Sequence, residues 1–257
     1  MIRFPRALRL PLATGLVLGA LGACQHFDPG AYPVPETLYQ ASLRLFRTGH
    51  YAKAQEGFRK LTYDLSASDT LNILSRFFLA ETYFGQGDYL TAAREFRRVT
   101  DENPTFRLAA RALLRAGDAY GAMWTNTQLD PTNGRIALAT YQEVQARFPG
   151  TAAAGMASVR IVALNEKLAR KEMDNALFYY ERGAYDSAIL YFKDLIATYP
   201  SVTLVPDAYA YLIRSYKAIG WADEQAAFCG QLQQYYGQYL AHRADIQALC
   251  GDRVARR

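Results

Sequence analysis

Residues 175–200 read NALFYYERGAYDSAILYFKDLIATYP, and this stretch decides the fold. It divides into two short helices joined by a glycine-containing turn. Ala176 and Tyr179 mark the buried face of the first helix. Gly183, Ala184 and Tyr185 make the turn. Ala188, Phe192 and Leu195 follow at i, i+4 and i+7, one stripe of a helix with a period of 3.6. Pro200 closes the unit, because it lacks an N–H and disfavours helix in the residue before it.

The same spacing recurs twice upstream. Gly49, Tyr51, Ala54, Phe58 and Leu61 form one copy. Gly87, Tyr89, Ala92, Phe96, Val99 and Pro104 form another. The Ala lets two helices approach closely, and the aromatic fills the space beside it. The pattern is that of a tetratricopeptide repeat. One hairpin cannot bury its apolar face alone, so an all-α solenoid of about five stacked hairpins is expected.

Five repeats are read at about 36–63, 70–104, 106–149, 170–200 and 206–236, within an array spanning 36–250. The third is interrupted. Gly117 to Ala137 is 20 residues, whereas Ala80 to Ala92 and Ala176 to Ala188 are 12. The excess falls within WTNTQLDPTNG, 124–134, where Asp130-Pro131 and Asn133-Gly134 are turn dipeptides, so a loop is expected. Trp124 reads either as a plug of the array or as an anchor for a partner. Ala152 to Met173 reads as a long helix leading into repeat four. Repeat five has Pro206 in a first turn, with Tyr209, Tyr216 and Gly220 in register. Gln225 and Cys229 stand where Ala and an aromatic are expected. The stretch 238–250 suits one more helix, and 251–257 a frayed tail.

The chain has 257 residues, 51% apolar and 21% charged, a balance suited to a folded core. Its net charge of +5 includes Arg3, Arg6 and Arg9. Removing that segment leaves +2, too little to argue for nucleic acid. Residues 10–23, LPLATGLVLGALGA, are apolar but only 14 long, short of the roughly 20 that span a bilayer. Residues 1–23 therefore read as a signal peptide. Leu21-Gly22-Ala23-Cys24 fits the bacterial lipobox, in which the Cys24 thiol accepts a diacylglycerol; the bland alternative is an ordinary signal peptide with an incidental cysteine. Gln25 after it suits outer-membrane sorting under the enteric rule. Residues 25–35, QHFDPGAYPVP, read as an extended, mobile tether, so residues 24–35 form the lipidated cysteine and its linker.

Two apolar stripes lie on the first helix of repeat one. Leu38, Ala41 and Leu45 face the packing side. Tyr39, Leu43 and Phe46 form the second stripe, which with Phe77 and Phe84 lines a concave groove or else buries against neighbouring helices or the entry segment. Such a groove suits an extended, aromatic-rich peptide. No catalytic or metal-binding pattern is present. His26, His50 and His242 are scattered, and CxxC, HExxH, GxSxG and GxxxxGK[ST] are all missing. Glu81 and Asp118 read as isolated helical acids, solvated or paired. No cofactor is implied. Cys229 and Cys250 read either as a disulfide or as two buried thiols.

With lipobox, tether and repeats together, residues 24 to about 236 resemble the BamD family of outer-membrane β-barrel assembly lipoproteins. The most telling stretch is LNEKLARKEMDNALFYYERGAYDSAILYFKDLIATYP, Leu164 to Pro200, together with the interrupted third repeat and its Asp-Pro loop. The resemblance implies a non-catalytic scaffold on the periplasmic face of the outer membrane. Its implied partners are the POTRA domains of a BamA-like barrel and nascent barrel proteins. The groove of Tyr39, Phe46, Phe77 and Phe84 would receive an aromatic-ended strand signal. Exposed faces of repeats four and five, with Tyr180, Glu181, Tyr191 and Lys193, would meet BamA. The competing readings are a tetratricopeptide lipoprotein serving a secretion pore or cell-wall synthesis, and an enzyme, for which the sequence offers no polar cluster.

Overall fold

A computed structural model describes residues 27–254. The expected signal peptide, Cys24 and Gln25 lie outside them. Eleven α-helices and no strand occur among the described residues. They are α1 (Pro35–Arg47), α2 (Tyr51–Asp64), α3 (Thr70–Gly85), α4 (Tyr89–Glu102), α5 (Ala109–Ala122), α6 (Thr132–Arg147), α7 (Ala152–Glu181), α8 (Tyr185–Thr198), α9 (Val205–Ala218), α10 (Ala222–Ala241) and α11 (Ala244–Val254). Each packs on the next, and α1 also touches α3 as α5 touches α7. Hairpins stacked in this way make an all-α tetratricopeptide solenoid.

Four hairpins share one turn. Gly49, Gly87, Gly183 and Gly220 have φ between 74° and 81°, the left-handed region that side chains with a Cβ avoid. The N–H after each glycine reaches back to a carbonyl of the preceding helix. His50 to Leu45 is 2.9 Å, and Asp88 to Tyr83, Ala184 to Tyr179 and Trp221 to Tyr216 are each 3.0 Å. This bond satisfies a helix-end carbonyl and reverses the chain at once. The aromatic two residues beyond the glycine then packs on the helix just left: Phe46–Tyr51, Phe84–Tyr89 and Tyr180–Tyr185 rings lie 5.6, 5.1 and 5.5 Å apart. Ala54, Ala92, Ala188, Phe58, Phe96 and Phe192 are all completely buried. Each such Phe contributes about 1.5–3 kcal/mol by leaving water.

The interrupted hairpin departs from expectation. The irregular segment covers only 123–131, because α6 begins at Thr132. Asn133-Gly134 is helix, not turn. Pro131 precedes α6 and Asp130 accepts the Thr132 N–H at 2.9 Å, so the start signal is the Asx-Pro pair alone. Trp124 is 1% exposed, which excludes its role as a partner anchor and makes it the plug. Lys167 of α7 donates to the Trp124 carbonyl, and Lys171 donates to the Thr127 carbonyl at 3.0 Å.

Two ends are tied down. The rings of Phe27 and Tyr32 lie 5.7 Å apart, tilted to each other, and pack against the core of the first hairpin, around a 3-10 turn at Pro29–Ala31. The linker is therefore not an extended tether from Phe27 onward: its aromatics find an apolar surface and its Asp28 carboxylate caps the turn through the Gly30 N–H at 2.8 Å. At the other end Cys229 and Cys250 form a disulfide, with Cα atoms 5.6 Å apart. Gln225 donates to the Leu249 carbonyl at 2.6 Å. The two positions that break the repeat pattern are thus the two that dock α11.

Candidate functional site

A cavity of about 510 Å³ opens where α1, α3, α5 and α7 converge. Phe46 comes from α1, and Phe77, Phe78 and Glu81 from α3. Arg111, Arg115 and Asp118 come from α5, and Met156 and Arg160 from α7. Spacing explains the shared face: 77 and 81, like 111, 115 and 118, recur every three or four residues. The floor is aromatic. Phe78 sits edge-on to Phe46 and Phe77, at 5.5 and 5.6 Å. Such arrangements place ring edges against ring faces, as their quadrupoles prefer.

The wall is ionic. Arg115 grips Glu81 with two bonds, Nε to Oε1 at 2.9 Å and Nη2 to Oε2 at 2.7 Å. Its Nη1 reaches Asp118 Oδ2 at 3.1 Å. Asp118 also accepts from the Tyr141 hydroxyl at 2.9 Å, from Arg160 Nη2 at 3.3 Å, and from Arg160 Nε. One carboxylate thus joins α5, α6 and α7, while its arginine joins α3. Burial works against the Arg115 charge, but the hydrogen bonds and fields of Glu81 and Asp118 outweigh it and raise its pKa. Burial, and then the Asp118 charge, push the Tyr141 hydroxyl far up. Arg160 is raised chiefly by its bond to Asp118. All three hold their protons at any physiological pH. Three guanidiniums against two carboxylates leave the cavity one positive charge in excess, with Arg111 on its exposed rim and 5.4 Å over the Phe77 ring.

Of the expected groove set, Phe46 and Phe77 line this cavity. Tyr39 and Leu43 do not; both are buried in the core of the first hairpin, where Tyr39 meets Phe58 and Phe78 edge-on. The cause is Phe78 of α3, which covers that side of α1. Phe84 is removed from the cavity by the Arg115 guanidinium, 4.0 Å above its ring. Of the two readings of Glu81 and Asp118, solvated or paired, the structure shows the paired one: they are the two carboxylates of this network. Arg115 and Arg160 are not legible in the sequence; only the i,i+3 pair Arg115–Asp118 leaves a local trace.

The second expected set splits. Glu181 and Lys193 are exposed. Tyr180 packs edge-on to Tyr185 and Tyr211, whereas Tyr191 stacks on Tyr179 at 5.2 Å. The two tyrosines therefore belong to different aromatic clusters. Exposed apolar groups near them are Phe178, with Arg182 3.5 Å over its ring, and Leu190. Cys24 lies outside the described residues. Among the described residues no His, Cys, Asp or Glu group could hold a metal ion, and no helix is long and apolar enough to cross a membrane.

Residues 33–228 match the family model YfiO, described as outer membrane lipoprotein. The chain is 24% identical over 235 residues to the outer membrane protein assembly factor BamD of Rickettsia prowazekii, covering 91% of this chain and 93% of that one. It is 30% identical over 139 residues to the protein of the same name from Neisseria gonorrhoeae, covering 51% of each. A thermophilic TPR protein of Thermus thermophilus overlays loosely, with a TM-score of 0.38 at 16% identity, over 84% of this chain and 98% of its own.

Proposed function

The chain belongs to the YfiO family of outer membrane lipoproteins, and from that premise we propose that it is a non-catalytic scaffold of outer-membrane β-barrel assembly. On this reading Cys24 carries the lipid, and the solenoid hangs from the periplasmic face of the outer membrane. It binds unfolded barrel proteins and the POTRA domains of a BamA-like barrel. The relatives named outer membrane protein assembly factor support the process.

The observation that carries the client role is the cavity between α1, α3, α5 and α7. Its aromatic floor of Phe46, Phe77 and Phe78 suits an aromatic side chain. Its surplus positive charge, with Arg111 at the rim, suits a chain-terminal carboxylate beside that side chain. An aromatic-ended strand offers both. The ionic wall serves to hold the cavity open, since each carboxylate is already matched by arginine. For the BamA-like partner, the exposed Glu181 and Lys193 remain candidates, joined by exposed Phe178 and Leu190. Tyr180 and Tyr191 would act by shaping the surface from beneath.

Affinity purification of the tagged protein from gently solubilised membranes tests the reading. A POTRA-bearing barrel recovered in near-equal amount is the expected result. Recovery of wall enzymes or of one secretion pore in its place would overturn it. A peptide ending in Phe should bind the purified chain, and Phe46→Ala with Arg111→Glu should weaken that binding; equal binding by both proteins removes the cavity from the client role.

A further inference from the structure

A second cavity, of about 490 Å³, lies at the opposite edge of the first hairpin, under the N-terminal segment. Phe27, Tyr32 and Leu45 give it apolar walls, and Arg44, His50 and Lys53 give it basic ones. Thr48 shares a 2.9 Å hydrogen bond with His50 Nδ1, which fixes the imidazole at the cavity edge. The one acid in the lining, Asp28, is engaged by the Gly30 N–H at 2.8 Å.

Position along the chain gives this cavity its meaning. Phe27 is bound into the first hairpin, and Cys24 is three residues before it. Three residues span at most about 11 Å. With a diacylated Cys24 at the bilayer surface, the cavity must lie in or beside the headgroup layer. A longer free linker would have let the domain drift away; the packing of Phe27 and Tyr32 forbids that. Aromatic bodies beside Arg and Lys are also the composition that suits the zone between apolar tails and water.

We propose that this cavity binds the phosphate of an anionic phospholipid in the leaflet that holds the lipid anchor. Arg44 faces the phosphate, and Phe27 and Tyr32 rest against the glycerol and upper acyl region. The lipid anchor then fixes distance and the headgroup fixes orientation, so the solenoid leaves the membrane in one direction. The proposal rests on the anchoring of Cys24 put forward above.

The test uses the full, lipidated protein on phosphatidylcholine vesicles with and without phosphatidylglycerol, read by amide exchange over residues 44–53 and by flotation. Anionic lipid should slow exchange about fivefold, the effect of one basic side chain near an anionic surface, and Arg44→Gln should abolish the difference. Flotation with equal exchange on both vesicles overturns the cavity and spares the anchor. Failure to float on either overturns the anchor, and the cavity assignment with it. Slowing by inorganic phosphate on neutral vesicles, with no further effect of phosphatidylglycerol, overturns a lipid as the source.

Discussion

Gly134 and Trp124 share one space: a Cβ built on Gly134 would lie 2.4 Å from Cε3 of the indole. Gly134→Ala should therefore push the ring from its seat, at a cost of about 1–3 kcal/mol for overpacking. Trp124→Ala should cost more, about 3–5 kcal/mol, because it leaves a void between the loop and α7. Urea midpoints measure both. In a Trp221→Phe background the emission of Trp124 alone is seen, and Gly134→Ala should shift it red. Unchanged emission and midpoint would mean that the plug is not seated as described.

The hairpin glycines make a contrasting case. Nothing lies within 4 Å of a Cβ added to Gly87 or Gly183, yet both have positive φ. Alanine there should cost about 1–2 kcal/mol by backbone conformation alone. Gly230 in α10 is also unobstructed but has helical φ, so Gly230→Ala should stabilise by about 0.5–1 kcal/mol. Opposite signs in thermal denaturation are expected. The same sign at both would refute the conformational explanation.

Reduction of Cys229–Cys250 should act locally. The bond closes a sequence separation of 21 residues, which on the chain-entropy account corresponds to about 3 kcal/mol. Contacts in a solenoid run between neighbours, so the loss should fall on α11 and α10 and spare α3–α8. Hydrogen exchange with and without reductant checks this. Uniform loosening of the array would contradict it.

Acid should release the same end. The hydrogen bond from Arg243, with the charges of Arg243 and Arg214, holds the Asp245 carboxyl down at about 2, against 3.8 for the free group. Its contribution is present above the higher value and is lost as pH falls through the lower one. Protection of α11 should therefore drop between about pH 4 and pH 2, and Arg243→Gln should flatten that dependence. At the alkaline side, Tyr141 and Tyr239 are raised by burial and by Asp118 and Asp207. They should be among the last tyrosines to ionise when phenolate absorbance is followed. Early ionisation of Tyr141 would mean that Asp118 is not its partner.

The repeats were legible because each signature residue answers a local demand. A positive φ asks for Gly, close helix approach asks for Ala, and the adjoining space asks for an aromatic. The ionic wall was not legible. Arg115 and Glu81 are 34 residues apart and Arg160 and Asp118 are 42, and no helical period links such positions. That Tyr39 and Leu43 are buried instead of lining the groove has a related cause. A helix covered on one side carries one apolar stripe, but α1 is covered on two, by α2 and by α3. Periodicity reports that a face is apolar and is silent on what covers it. The sequence leaves the disulfide open for the same reason, since pairing depends on where α11 turns back.

The unbroken length of α7 makes it a rod that links two distant parts of the array. Its 30 residues amount to about 45 Å of continuous helix. The beginning of this rod, at Met156 and Arg160, borders the aromatic cavity, and its far end carries Phe178 and Glu181. A pivot of about five degrees at the first end sweeps the second through about 4 Å over that length. Occupation of the cavity that tilts the rod so slightly would reposition a distant surface by more than a side-chain contact, like a beam on a fulcrum.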